Sequence, residues 1–314
     1  MFSKLDRVLA RVEALLARVE LHLPAGNREP DWKKFIAYRW RREQTMLGRR
    51  GVLVGVAHPH VIRLSDLKDI DEQKSRIEKN TRQFVMGRAA NNVLLTGARG
   101  TGKSSLVKAA LQEFAKQGLR LIEVDRADMV DLPDIADLIA GRPERFIIFS
   151  DDLSFEANDP GYKALKSVLD GGISSTNDNL LVYATSNRRH LMPEKMSENL
   201  DTKHTEDGEI HPGETTEEKI SLSERFGLWL SFYPFDQQEY LDIVTHWVSV
   251  LGGSRVTAGA LPAEVKAAAL LWALERGSRS GRVAYQFARD WAGAHAPVKK
   301  RVVKKRAVQA SRKK

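Results

Sequence analysis

Short apolar runs alternate with longer stretches in which apolar positions recur every three or four residues. Runs at residues 93–95, 119–124, 146–149, 180–184 and 228–235 have the length and composition of buried strands. Between them, Leu106, Val107, Ala110, Leu111 and Phe114 repeat at helical spacing, and residues 132–140 and 162–169 also read as helices. Gly118 stands where the first of these helices should stop. Strands separated by helices predict an α/β fold with a parallel sheet covered on both faces. In such sheets ligands bind at the carboxyl ends of the strands.

The flanks follow other patterns. Over residues 4–21, Leu5, Val8, Leu9, Val12, Leu15, Leu16 and Val19 form one stripe of an amphipathic helix, docked either on its own domain or on a partner. Residues 23–30 are turn-rich and read as a linker. In residues 31–42, Trp32, Phe35, Ile36 and Trp40 share one helical face, with basic residues between them. The expectation is a helix packed on the core with a basic outer face. The competing reading is a single-stranded nucleic-acid site that combines aromatic stacking with charge. His58 and His60 flank a proline without companion ligands at metal spacing and read as loop residues. A polar helix is expected from residue 67 to about residue 84.

Towards the C-terminus, Asp236 and Glu239 have the spacing of a helix-starting cap. Tyr240, Val244, Trp247, Val248 and Leu251 follow on one face, and Gly252-Gly253 end the helix. Further helices over 262–276 and 281–291 complete a small bundle. The expected division is an N-terminal helical region and linker (1–63), an α/β domain (64–235), a helical domain (236–295) and a disordered basic tail (296–314). Residues 192–220 carry nine acids against three lysines and read as a solvated insertion.

Charge changes this picture in one respect. The chain has 314 residues and a net charge of +9, but residues 296–314 alone hold nine basic residues and no acid, so the remainder is neutral. A nucleic-acid role would have to come from the tail or a local patch. The absence of cysteine excludes disulfides, thiol nucleophiles and thiolate metal sites, and suits a cytoplasmic location. No apolar run approaches about eighteen residues, so no membrane-spanning helix is expected.

The chemistry centres on Gly97-Ala98-Arg99-Gly100-Thr101-Gly102-Lys103-Ser104, followed by Ser105. It fits G-x-x-x-x-G-K-[ST], a loop whose glycines let backbone N–H groups approach phosphate oxygens. Lys103 supplies charge for the β- and γ-phosphates, and Ser104 a hydroxyl for Mg²⁺. A buried strand then ends in Ser150-Asp151-Asp152. A strand-end carboxylate holds Mg²⁺ opposite the lysine, which makes Asp151 the metal candidate. Asp152 is the candidate for orienting or deprotonating water. Asn187, beyond the end of the neighbouring strand, is a candidate for positioning that water. Arg225 precedes the final strand, where a permanent planar charge can stabilise a phosphoryl transition state or serve as a structural ion pair.

The order of phosphate loop, Asp151-Asp152, Asn187, Arg225 and Arg282 resembles that of AAA+ ATPases over about residues 64–293. Within that superfamily the chain most resembles a bacterial family known only as a domain of unknown function. The runs at 92–105, 149–156 and 221–227 carry this closer match. The resemblance implies a five-stranded parallel sheet with a C-terminal three-helix lid, preceded here by extra N-terminal helices. It implies ATP and Mg²⁺ as ligands, Asn187 as first sensor and Arg282, or failing it Arg279, as second. Arg225 would be a finger reaching a neighbouring protomer's nucleotide in a ring or open homo-oligomer. Asp152 stands where most AAA+ proteins carry a catalytic glutamate, one methylene longer. The implied activity is ATP hydrolysis that remodels or loads a macromolecular partner. The alternatives are a slowly hydrolysing nucleotide switch and a nucleic-acid-associated ATPase that uses the basic tail.

Overall fold

A computed structural model describes residues 11–13, 30–45, 48–155, 159–170, 178–187, 203–204, 210–211, 223–252 and 261–295. The chain divides into two units, Met1–Glu239 and Tyr240–Lys314. Most of the 4–21 stripe, the acidic insertion and the basic tail lie outside the described residues. The exceptions are residues 11–13, which are helical, and a strand pair inside the insertion, β7 (Lys203–His204) with β8 (Ile210–His211).

The first unit is built on strands β1 (Ala37–Thr45), β2 (Gly48–Gly55), β3 (Val93–Gly97), β4 (Leu119–Glu123), β5 (Arg145–Ser150), β6 (Leu180–Ser186) and β9 (Leu228–Phe232). They form one seven-stranded sheet in the order β2-β1-β4-β5-β6-β3-β9. All neighbours run parallel except β2, which pairs antiparallel with β1. Helices α1 (Asp71–Val85), α2 (Lys103–Phe114), α3 (Leu132–Ile139) and α4 (Pro160–Leu169) accompany the sheet. The strands are short and apolar because both faces are covered. Every residue of β6 is buried, as are five of the six in β5.

The expected five-stranded sheet therefore has seven strands, and the helix expected over residues 31–42 is instead a turn followed by β1. The turn forms because the Asp31 carboxylate accepts the N–H groups of Lys33 and Lys34 at 3.2 and 2.9 Å. Beyond it the buried side chains alternate with period two. Tyr38 and Trp40 are buried, while Arg39 and Arg41 take the other face, where Arg39 pairs with Glu123 at 2.6 Å. The Trp32 ring lies 4.6 Å from Tyr38 and 5.0 Å from Phe146, which fastens the turn to the core. Trp40 donates its indole N–H to Asp131 at 2.9 Å. Arg42 binds the same carboxylate through two bonds, of 2.7 and 2.9 Å.

A buried polar knot ties α1 to the sheet. The Tyr183 hydroxyl meets Thr81 Oγ1 at 2.9 Å and accepts from Asn80 Nδ2 at 3.1 Å, while Asn80 also brackets the Asn91 backbone. Burial pushes the Tyr183 hydroxyl pKa up to about 12, so it stays protonated.

The second unit contains most of α5 (Gln237–Gly252), with α6 (Ala263–Glu275) and α7 (Gly281–His295). The expected cap is present at the start of α5. Asp236 accepts from Glu239 N at 2.8 Å, and Glu239 accepts from Asp236 N at 2.7 Å. Within the unit, Tyr240 donates to Ala269 O at 3.1 Å, and the Trp247 and Tyr285 rings meet edge to face at 4.8 Å.

Candidate functional site

The phosphate-loop sequence connects β3 to α2. Its shape follows from three glycines with left-handed φ, at 129° for Gly97, 75° for Gly100 and 99° for Gly102. At Gly97 a Cβ would stand 1.9 Å from the Phe232 carbonyl oxygen, so the chain leaves the sheet against β9 where no side chain fits. Thr101 closes the loop by donating to Ala98 O at 2.9 Å. The buried side chain of Lys103 turns back over the loop. Its ammonium donates to Gly97 O at 2.8 Å, Ala98 O at 2.7 Å and Asn187 Oδ1 at 3.1 Å. Ser105 follows in the first turn of α2, half-buried.

The acid pair arrives on β5 and is held by β6, which lies between β5 and β3. Asp151 Oδ1 accepts from Ser104 Oγ at 2.5 Å and from Thr185 Oγ1 at 2.6 Å. The same Thr185 oxygen accepts the Asp152 N–H at 2.9 Å, and Thr185 O accepts the Leu153 N–H at 2.7 Å. These bonds force the strand end into a tight turn, and Asp152 adopts φ of 53°, a region costly for a residue with a Cβ. Asn187 Nδ2 donates to Asp152 Oδ1 at 2.5 Å, and Arg99 Nη2 lies 3.8 Å from Asp152 Oδ2.

The structure thus brings together Arg99, Lys103, Ser104, Asp151, Asp152 and Asn187, all expected from the sequence. Chemically the cluster offers backbone amides and an ammonium suited to phosphate. Beside them stand a hydroxyl and a carboxylate, the hard oxygen donors that Mg²⁺ prefers. Thr185 was not singled out in the sequence. Its signal was a polar residue at the end of an apolar strand, two before Asn187.

Arg225 is placed elsewhere, where its Nε donates to Asp170 Oδ1 at 2.6 Å. Arg279 and Arg282 lie in the second unit, Arg282 within the first turn of α7, and both are exposed. Among the described residues no cluster of three potential metal ligands from histidine, cysteine, aspartate and glutamate occurs, and no helix is long and apolar enough to cross a membrane.

A mostly parallel sheet with a phosphate loop between β3 and α2 and an acid pair at the end of β5 gives the chain the architecture of a P-loop α/β protein. The family model described as "Protein of unknown function (DUF815)" matches residues 33–295, and the chain belongs to that family. The match takes in β1 and β2 as well as the phosphate loop. A comparison with curated proteins finds no match. Among solved structures, the Aeropyrum pernix Orc1 protein in complex with DNA aligns with a TM-score of 0.50 at 16% identity, covering 73% of this chain and 60% of that one. One point mutant of Thermotoga maritima RuvB aligns with a TM-score of 0.49 at 15% identity, covering 74% of this chain and 66% of that one. A second RuvB point mutant from the same organism gives 0.48 at 14% identity, covering 72% and 63%. The chain spans less than two thirds of each of these proteins, and the Orc1 likeness bears on the fold alone.

Proposed function

We propose that the protein binds ATP with Mg²⁺ at the β3–α2 loop and hydrolyses it within a homo-oligomer, using the cycle to remodel or load a macromolecular partner. The observation that carries this reading is the bonded convergence of Lys103, Ser104, Asp151, Asp152, Thr185 and Asn187 from three strand ends. ATP supplies the electrophilic γ-phosphorus, and ADP leaves through its β-phosphate oxygen as water adds. Lys103 exchanges its loop carbonyls for phosphate oxygens, and the loop amides take up the remaining charge. Ser104 and Asp151 would hold Mg²⁺, which would neutralise charge on the phosphates, with Thr185 fixing the carboxylate. Asp152 accepts the proton of the attacking water, which Asn187 orients. Arg225 stabilises the transition state in the neighbouring protomer.

The test is turnover per protomer as a function of protein concentration, with Arg225→Ala and Lys103→Ala in parallel. Turnover that rises with concentration and is lost in both variants supports the reading. Turnover independent of concentration and unchanged in Arg225→Ala removes the shared site.

A second reading, a nucleotide switch with little hydrolysis, is favoured by the environment of Asp152. Its carboxylate is short, and Asn187 and Arg99 already engage its two oxygens. Tight ATP binding without phosphate release would put that reading first. The nucleic-acid reading loses one of its two supports. Trp32 and Trp40 are buried, and Arg39 and Arg42 are committed to Glu123 and Asp131. It rests on the basic tail, and predicts salt-sensitive binding that disappears when residues 297–314 are removed.

A further inference from the structure

We infer that Asp170 is the positioning residue for Arg225, holding its guanidinium in the pose from which it serves a neighbouring protomer's nucleotide. The inference rests on the shared-site reading above and names a component that the phosphate-loop pattern does not contain.

The backbone that carries Arg225 is anchored on both sides. Ser223 and Phe226 are buried, and the Phe226 N–H bonds to Ser223 O at 3.2 Å. At Gly227 the chain passes so close to Asn91 that a Cβ would lie 2.4 Å from its Oδ1, and Leu228 N bonds to Asn92 O at 3.1 Å. The Cα of Arg225 is therefore fixed relative to β3, while a side chain with four rotatable bonds still has to be aimed. Asp170 does this. It follows α4, where its N–H caps the helix on Lys166 O at 2.9 Å, and its carboxylate takes Arg225 Nε at 2.6 Å.

The choice of nitrogen matters. A guanidinium is planar, so a carboxylate bonded at Nε restrains the orientation of that plane. The Arg225 side chain is one-quarter exposed and that of Asp170 about half, so the pair stands at the surface with the stem covered. An ion pair so exposed adds little to stability. Its value lies in orientation, because fixing the side chain beforehand removes the ordering cost from the step that uses it.

The test compares Asp170→Ala, Asp170→Glu and Arg225→Ala in the full chain, reading ATP turnover at saturation, KM and ATP-promoted association by sedimentation. Asp170→Ala is expected to lower kcat by about ten- to hundredfold, in the range that misplacement by an ångström produces. KM and circular dichroism should be unchanged, and Asp170→Glu should recover part of the loss. Mixing Lys103→Ala with Asp170→Ala protomers should restore turnover, since each supplies what the other lacks. Mixing Asp170→Ala with Arg225→Ala should not. If the protein associates on ATP without turning it over, the same order of variants is expected in the association. If Arg225→Ala abolishes both readouts while Asp170→Ala matches or exceeds wild type, the positioning role is overturned and the shared site stands. If Arg225→Ala itself matches wild type in both, the shared-site reading fails and takes this inference with it.

Discussion

Lys103 is a buried ammonium at the head of α2, and a buried charge must have its donors satisfied. Two loop carbonyls and Asn187 satisfy it here, so the loop keeps its shape around its own lysine. Lys103→Ala is expected to weaken ATP binding by at least about a hundredfold in titration calorimetry. The melting temperature should change by only a few degrees, because removal of the buried charge offsets the lost bonds. Thr185→Val is the opposite experiment. It preserves shape but strands the Asp152 N–H and removes a donor from Asp151. It should cost about 1–3 kcal/mol in chemical denaturation, the cost of unpaired buried polar groups, and lower phosphate release at least tenfold. That Lys103, Ser104 and Asp151 come together was legible because the phosphate loop is contiguous and a strand-end acid is local. Thr185 was harder to find because its partners lie on a neighbouring strand.

At the level of elements, β1 is fastened by Asp131, which takes bonds from both Trp40 and Arg42. Burial alone would raise the Asp131 carboxyl, but the bonds from Arg42 and Trp40 outweigh it and hold its pKa below the ordinary value. A carboxyl depressed in the folded state stabilises fully above its unfolded pKa and loses that contribution as pH falls through the folded one. Asp131→Asn should therefore flatten the acid limb of stability below about pH 4. Asp128 beside it is raised, chiefly by burial, and contributes with the opposite sign, so the substitution is more informative than the whole acid curve. Trp40 also stands over Gly51 of β2, where a Cβ would fall 1.8 Å from the indole ring. Trp40→Ala should cost about 3–5 kcal/mol by denaturation. Gly51→Val should show a similar loss. The pattern misleads at this strand pair because Trp32, Phe35, Ile36 and Trp40 happen to fit a helical face. The deciding alternation begins only at Tyr38, and the carboxylate that anchors the arginine is remote in sequence.

For the whole molecule, the alternation of apolar runs was enough to predict a parallel sheet, since strands buried on both faces announce themselves. The order of strands was not readable from hydropathy, nor was the ion pair of Arg225 with Asp170, which joins residues with no shared local pattern. The resemblance supplied roles for the site but not the two strands that widen the sheet. The proposed association of protomers belongs to this scale as well. A head-to-tail contact that completes one site repeats until the assembly closes, so sub-stoichiometric Arg225→Ala protomers should depress turnover in proportion to the interfaces they occupy.

The strand order also has a temporal side. β3 carries the phosphate loop, yet its neighbours are β6 and β9, both made much later on the ribosome. Until those strands emerge, β3 has two open edges, the Gly97 turn has no β9 to lie against, and Asp151 has no Thr185 to hold it. Non-local parallel pairing of this kind is slow. From the making of β3 until β6 emerges, the nascent chain therefore carries an apolar, unpaired strand, the kind of exposed edge that chaperones capture. A nascent chain arrested before β9 should be captured by chaperone and should not be protected from protease by ATP.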